Sequence, residues 1–250
     1  MLEIKELCAS YGSARVLDGL NASFDGGRLT CIVGRNGCGK STLLKCVIGA
    51  VSASSGEILV DGTPVSQMSR RDVAGRVAYL SQGKDTPDMT VLQTVLHGRF
   101  PHKSYPVRYN AADREIAYSA MEKMGIAHLA DRPLSSLSGG MKQNAYVAMA
   151  LAQGADHLLL DEPTTYLDVS NQLELMNTLR ALADVGCCVI AVMHDLPMAF
   201  AYADSIAIMD GGKIVLQDTP RAVCASSAVK SVFGVGMTYD ADKNRYFYEM

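Results

Sequence analysis

Short apolar runs closed by glycine or polar turns recur along the chain: LEIKEL, VLDGLNASF, RLTCIVG, GEILVDG, RVAYLSQ, DHLLLDEP, CCVIAVMHD and SIAIMDGGKIVLQ. Runs of this length between turn residues read as strands. Between several of them apolar positions return at helical spacing, most clearly in KSTLLKCVIGA and NQLELMNTLRALADVG. That alternation predicts an α/β fold, a mostly parallel sheet covered by helices with an antiparallel β portion near the N-terminus. From about residue 86 to 154 the alternation stops. NAADREIAYSAMEKMGIAHLA is helical in pattern with no strand beside it, so 86–154 reads as a helical subdomain inserted into an α/β core of 1–85 and 155–225. The last stretch, 226–250, reads as a tail in which VFGVGMTYDADKNRYFYEM forms a hairpin turning at DADKN. All of it fits one domain of 250 residues.

Composition narrows the class without choosing a function. Acidic residues number 26 and basic residues 23, a formal net charge of −3 with no dense Lys/Arg run, which argues against nucleic acid as the partner. The apolar runs CCVIAVM and VAMALA fall well short of the roughly 18 residues that cross a bilayer. The start MLEIKELCAS carries acids where a secretory signal is basic and then apolar. Seven cysteines, an odd number with no C-x-x-C pair, point to a reducing compartment. Cys187 and Cys188 fall in an apolar strand pattern and read as core; Cys38 lies in a Gly-rich loop before a helix, where a thiolate is favoured, and reads as a tolerated small residue ahead of a redox switch.

That loop carries the first chemistry. GRNGCGKST, residues 34–42, matches G-x-x-x-x-G-K-[ST] through Gly34, Gly39, Lys40 and Ser41, between the strand LTCIV and the helix KSTLLKCVIGA. Glycines let the backbone N–H groups turn onto phosphate oxygens, Lys40 adds a point charge near the β- and γ-phosphates, and Ser41 offers a hydroxyl to Mg²⁺. Next, HLLLD drives apolar residues into Asp161, and a carboxylate at the end of a buried strand needs a cation or proton to meet it. Asp161 is therefore the expected magnesium partner. Glu162 points the other way, because neighbouring strand residues alternate, and is placed to orient a water on the γ-phosphate. Gln82 and His194 end two further strands. Ligands of open α/β sheets bind beyond the carboxyl ends of strands, so Gly34, Gln82, Asp161 and His194 converge on one edge. Tyr11, before SARVLDGL, has an aromatic face that suits a nucleobase.

A second anion cradle follows about a hundred residues on. LSGGMKQ, residues 137–143, sets a serine and two glycines before an apolar helical run, and the first-turn N–H groups of a helix lack partners. Six motifs now stand in order: the phosphate loop, Gln82, LSGGMKQ, LLLDEP, TTYLD and His194. In that order the sequence resembles the nucleotide-binding subunit of ATP-binding cassette (ABC) transporters over residues 1 to about 225. The resemblance implies a P-loop ATPase that takes ATP and Mg²⁺. It implies a nucleotide set of Tyr11, Val16, Gly34, Arg35, Asn36, Gly37, Cys38, Gly39, Lys40, Ser41 and Thr42. Ser41, Gln82 and Asp161 are its implied magnesium set, and Glu162, His194 and Gln82 its catalytic set.

It also implies why one chain carries two cradles. In that family two subunits pair head to tail, and Ser138, Gly139 and Gly140 of one cap the γ-phosphate held by the other, with Asp168 communicating across the interface. Met141 stands where the family usually has Gln or Glu, and Met cannot make the same hydrogen bonds. Asn144 stands where a basic residue is frequent. The implied partners are a second copy of the chain, integral-membrane permease subunits meeting the segment from Gln82 to about Tyr105, and indirectly a substrate-binding protein. The implied place is peripheral, on the cytoplasmic face of the cell membrane. TTYLD, MHDLPMAFAYAD and HGRFPHKSY are most similar to the iron-chelate, haem and cobalamin importers. A soluble cassette ATPase of iron–sulfur cluster assembly has similar size and motifs and stays open as the alternative. A DNA-repair cassette requires long coiled coils that are absent from the pattern, and a small-molecule kinase or GTPase leaves LSGGMKQ unexplained.

Overall fold

A computed structural model describes residues 1–81, 87–165 and 167–249. An antiparallel sheet opens the chain. β1 (Leu2–Tyr11) pairs with β2 (Ala14–Phe24) on one side and β4 (Ala53–Val60) on the other, and β5 (Thr63–Pro64) closes the edge. The second sheet has the order β10-β9-β3-β8-β7-β6. In it β6 (Val77–Leu80), β7 (His157–Asp161), β8 (Cys188–Val192), β3 (Leu29–Gly34) and β9 (Ser205–Asp210) run parallel, and β10 (Lys213–Asp218) returns antiparallel on β9.

Both faces of this sheet are covered, which is why its strands are apolar at nearly every position. In β3, Leu29, Cys31 and Val33 enter one core while Ile32 enters the other. In β8, Val189 and Ala191 share the first core, and Cys188, Ile190 and Val192 share the second. The second core lies between the two sheets and holds α1 (Lys40–Val47) through Leu43, Leu44, Cys46 and Val47. The first holds the apolar faces of α6 (Val169–Asp184) and α7 (Leu196–Tyr202), and it runs on into the helices between β6 and β7.

α2 (Arg70–Arg76) leads into β6, and the described residues between β6 and β7 form α3 (Val91–Leu96), α4 (Ala111–Lys123) and α5 (Gly139–Gln153). Their starts are written in the sequence. Thr90 with Gln93 and Asn110 with Asp113 form reciprocal capping boxes, and Ser138 caps α5 by accepting from the Met141 N–H at 3.3 Å. Asp113 is buried at 4% exposure with Arg99 at 3.4 Å and Lys103 as its cationic partners. Beyond β10 come α8 (Pro220–Ala225), α9 (Ala228–Phe233) and a hairpin of β11 (Met237–Asp240) and β12 (Arg245–Tyr248), so the tail contains helix as well as hairpin. Among the described residues no helix is long and apolar enough to cross a membrane.

Candidate nucleotide site

Parallel pairing brings the carboxyl ends of β3, β7 and β8 side by side, so Gly34, Asp161 and the residues after Val192 share one edge of the sheet. There a cleft of about 550 Å³ is lined by Val16, the loop residues Asn36, Gly37, Gly39, Lys40, Ser41 and Thr42, and Glu162 and His194. The loop turns into α1 at Gly39, whose φ of +107° is a conformation that side chains rarely adopt. A Cβ there would also stand 2.9 Å from Leu17 Cδ2 and Met209 Cε. No side chain caps α1 and no acidic residue occupies its first turn, which leaves its leading N–H groups for an anion.

Lys40 is 6% exposed, and its ammonium donates to the carbonyls of Gly34 at 2.8 Å and Arg35 at 2.9 Å. A buried charge needs such partners, and here they draw the lysine across the mouth of its own loop. Cys38 is buried beside it, its Sγ 4.0 Å from Lys40 Nζ. Burial pushes the Cys38 thiol above its ordinary range, and the Lys40 charge offsets only part of that rise. The expectation that a thiolate is favoured in this loop is thus corrected: desolvation outweighs the helix start and the lysine.

Asp161, 4% exposed, accepts from Ser41 Oγ at 2.9 Å and from the Tyr79 hydroxyl at 3.2 Å. Tyr79 is a site residue that sequence reasoning missed, since strand alternation gives no sign that its hydroxyl reaches the next strand. Burial first and the Asp161 carboxylate second raise the Tyr79 phenol well above its ordinary pKa, so it stays a donor. Glu162 follows with φ +53°, a left-handed turn for a residue with a side chain, while its N–H still reaches Val192 O at 3.2 Å. The turn swings its carboxylate out to His194, whose Nε2 lies 2.5 Å from Oε1. An ionised carboxylate only accepts, so Nε2 carries the proton in this contact. Strain at such a residue concentrates at functional sites.

The other expected residues distribute around this centre. Thr42 is buried in the first turn of α1, and Arg35 contributes its carbonyl to Lys40. Tyr11 is half-exposed and outside the cleft lining. Gln82 lies outside the described residues. Ser138 and Gly139 are exposed, Gly140 is buried, and none of the three lines the cleft. Asp168 caps α6 by accepting from the Asn171 N–H at 2.9 Å. That bond first, with the Ser170 hydroxyl next, holds its carboxyl below the usual range.

The fold and the cleft together define a P-loop nucleoside triphosphatase. The family model for ABC transporters matches residues 17–165, and the chain belongs to that family as an ATP-hydrolysing subunit. The petrobactin import ATP-binding protein FpuD of Bacillus anthracis is 38% identical, covering 93% of this chain and 86% of its own. The ferric enterobactin transport ATP-binding protein FepC of Escherichia coli K12 is also 38% identical, over 92% of this chain and 86% of its own. A solved chain of a transporter described as metal-chelate type, in an inward-facing conformation, superposes with a TM-score of 0.85 at 27% identity. It covers 99% of this chain and 95% of its own.

Proposed function

We propose that the chain is the motor of a membrane importer for an iron chelate, working as a head-to-tail pair that closes on two ATP molecules. The observation that carries the reading is the division of the two cradles: the phosphate loop, Glu162 and His194 line one cleft, and Ser138 and Gly139 lie exposed away from it. A C2 pair gives each cleft the neighbour's signature as its lid. The relatives named for petrobactin and ferric enterobactin support the cargo class over the iron–sulfur alternative. In this reading the protein sits against permease subunits at the cytoplasmic face of the membrane, through the segment from Gln82 to about Tyr105.

The residues fit a hard cation. Asp161 is a buried carboxylate with the Ser41 hydroxyl 2.9 Å away, an all-oxygen pair that suits Mg²⁺ held mainly by phosphates and water. When bound, the cation would be held by Ser41 and Asp161 and would supply neutralisation of phosphate charge. The chain's own residues do the rest. The α1 N–H groups and Lys40 receive the phosphates, Lys40 exchanging its two carbonyl partners for phosphate oxygens. Glu162 orients the attacking water and takes its proton, and His194 fixes the carboxylate's direction by donating to Oε1. Closure by the neighbour's Ser138 and Gly139 excludes water and adds donors to the γ-phosphate.

Mixing two crippled chains tests the shared cleft. A Ser138→Arg chain has a blocked signature and an intact loop, and a Lys40→Ala chain the reverse. Each alone is inactive, whereas their mixture contains one complete cleft per mixed pair and regains ATPase activity. A mixture as inactive as its components overturns the pairing.

A further inference from the structure

The first turn of α6 fastens two motifs that face different nucleotides. Gln172 donates Nε2 to the carbonyls of Thr164 at 3.2 Å and Leu167 at 3.1 Å. The other end of that loop is tied to the hydrolytic carboxylate: the Thr165 N–H reaches Glu162 O at 3.2 Å and its hydroxyl stands 3.4 Å from Oε2. Asn171, the neighbour of Gln172, gives its backbone N–H to Asp168 Oδ1 at 2.9 Å and its side-chain Nδ2 to Oδ2 at 2.7 Å. A cap requires only the first of those bonds. The second immobilises the amide, and it does so against the signature. A Cβ on Gly140 would lie 2.8 Å from Asn171 Cγ and 3.0 Å from Oδ1 and Nδ2. Gly140 is buried while Ser138 and Gly139 beside it are exposed.

We propose that Asn171 is a positioning residue that sets the height of the signature glycines over Thr164, Thr165, Leu167 and Asp168, and so yokes a chain's own Glu162 to the cradle it offers the neighbour's nucleotide. The inference rests on the shared-cleft reading above. Its physical content is rigidity: the amide is held by a charge-assisted bond and presents a flat face with no flexible end, so Gly140 seats at one distance only. A chain whose loop shifts on hydrolysis therefore shifts its signature as well. Each cleft senses the state of the other through one side chain.

The test uses full-length chains carrying Glu162→Gln, where ATP-driven pairing is read by analytical ultracentrifugation and stability by thermal melting. Asn171→Ala is expected to leave the melting temperature and single-chain nucleotide affinity unchanged but to weaken ATP-driven pairing about tenfold. Asn171→Asp keeps the shape, loses the Nδ2 donor and sets a like charge beside Asp168, so it is expected to weaken pairing similarly. Gly140→Ala, which drives a methyl into the amide, is expected to pair poorly, and Asn171→Ala added to it to restore part of the loss because the methyl then has room. Asn171 variants that pair like their parent, or losses that simply add, overturn the proposal while leaving the shared cleft intact. A parent that fails to pair with ATP overturns the shared-cleft reading and this inference with it.

Discussion

The phosphate loop and the LSGGMKQ signature of this chain are built to opposite standards. Around the phosphate loop the polar side chains meet partners inside the chain: Lys40 on two carbonyls, Ser41 and Tyr79 on Asp161, His194 on Glu162. Lys40 and Asp161 are buried, and α1 is packed between two sheets. The signature lies largely at the surface. Ser138 and Gly139 are exposed, Met141 is 42% exposed, and Val169 and Leu173 on the adjoining α6 are 68% and 41% exposed. One end is machinery already assembled and the other is a surface. On the shared-cleft reading proposed above, the difference separates binding nucleotide, local to one chain, from completing the site, which depends on a neighbour covering those exposed positions.

The sharpest way to break that contrast is Glu162→Gln. It preserves shape and the approach of His194 but removes the carboxylate proposed above as the base for the attacking water. Turnover is expected to fall by about 10²–10⁴-fold while ATP affinity holds, measured by phosphate release and by calorimetry of nucleotide binding. Loss of affinity in step with turnover would mean that Glu162 shapes the cleft and that the assembled end is not separable into binding and chemistry.

The helical layer that carries the signature has its own anchor, and Asp113→Asn tests how far that layer stands alone. Burial works to raise the Asp113 pKa, and Lys103, the Asn110 N–H and Arg99 outweigh it, leaving the carboxyl below its ordinary range. A depressed folded pKa gives stability that is complete above the unfolded value of about 3.9 and disappears as pH falls through the folded one. Removing the charge leaves two cations without their partner, at a cost of about 3–5 kcal/mol for breaking a buried pair. Chemical denaturation at pH 7 is expected to register that loss, and the gap between parent and variant to narrow as pH falls below about 4, where the parent's Asp113 protonates. An unchanged denaturation midpoint would show that the helical layer does not depend on this anchor.

How much of this was legible in the letters depended on whether neighbours in space were also patterned in sequence. The parallel strands were, because burial on both faces makes runs such as Leu29–Gly34 and Cys188–Val192 continuously apolar. The phosphate loop was, because its glycines and Lys40 are adjacent in the chain. Short helices were not: α2, α7, α8 and α9 hold six or seven residues each, under two turns, too few for a 3.6-residue period to declare itself. Contacts between elements were equally silent. Nothing in RVAYLSQ announces that Tyr79 reaches Asp161, and nothing in TTYLDVSNQ announces that Asn171 lies on Gly140, 31 positions away. Cys38 shows the converse failure. Its loop context was plain in the sequence and its burial was not, and burial decides the sign of its pKa shift.

That sign yields the mildest test of the comparison, because it asks whether the assembled end excludes solvent even at a thiol. A raised pKa means a smaller thiolate fraction at neutral pH than a free cysteine has, and the thiolate is the species that alkylates. Iodoacetamide labelling of Cys38, followed by peptide mass spectrometry, is therefore expected to be slow at pH 7 and still rising with pH above about 8.5, the ordinary thiol pKa. ATP, in filling the cleft beside it, is expected to slow labelling further. The Lys40→Ala variant removes the charge that partly offsets burial, so it is expected to label more slowly still per unit of access. Rapid labelling at pH 7 that levels off before pH 8 would mean that Lys40 and the start of α1 dominate over desolvation, and that this loop is more open to water than its buried lysine implies.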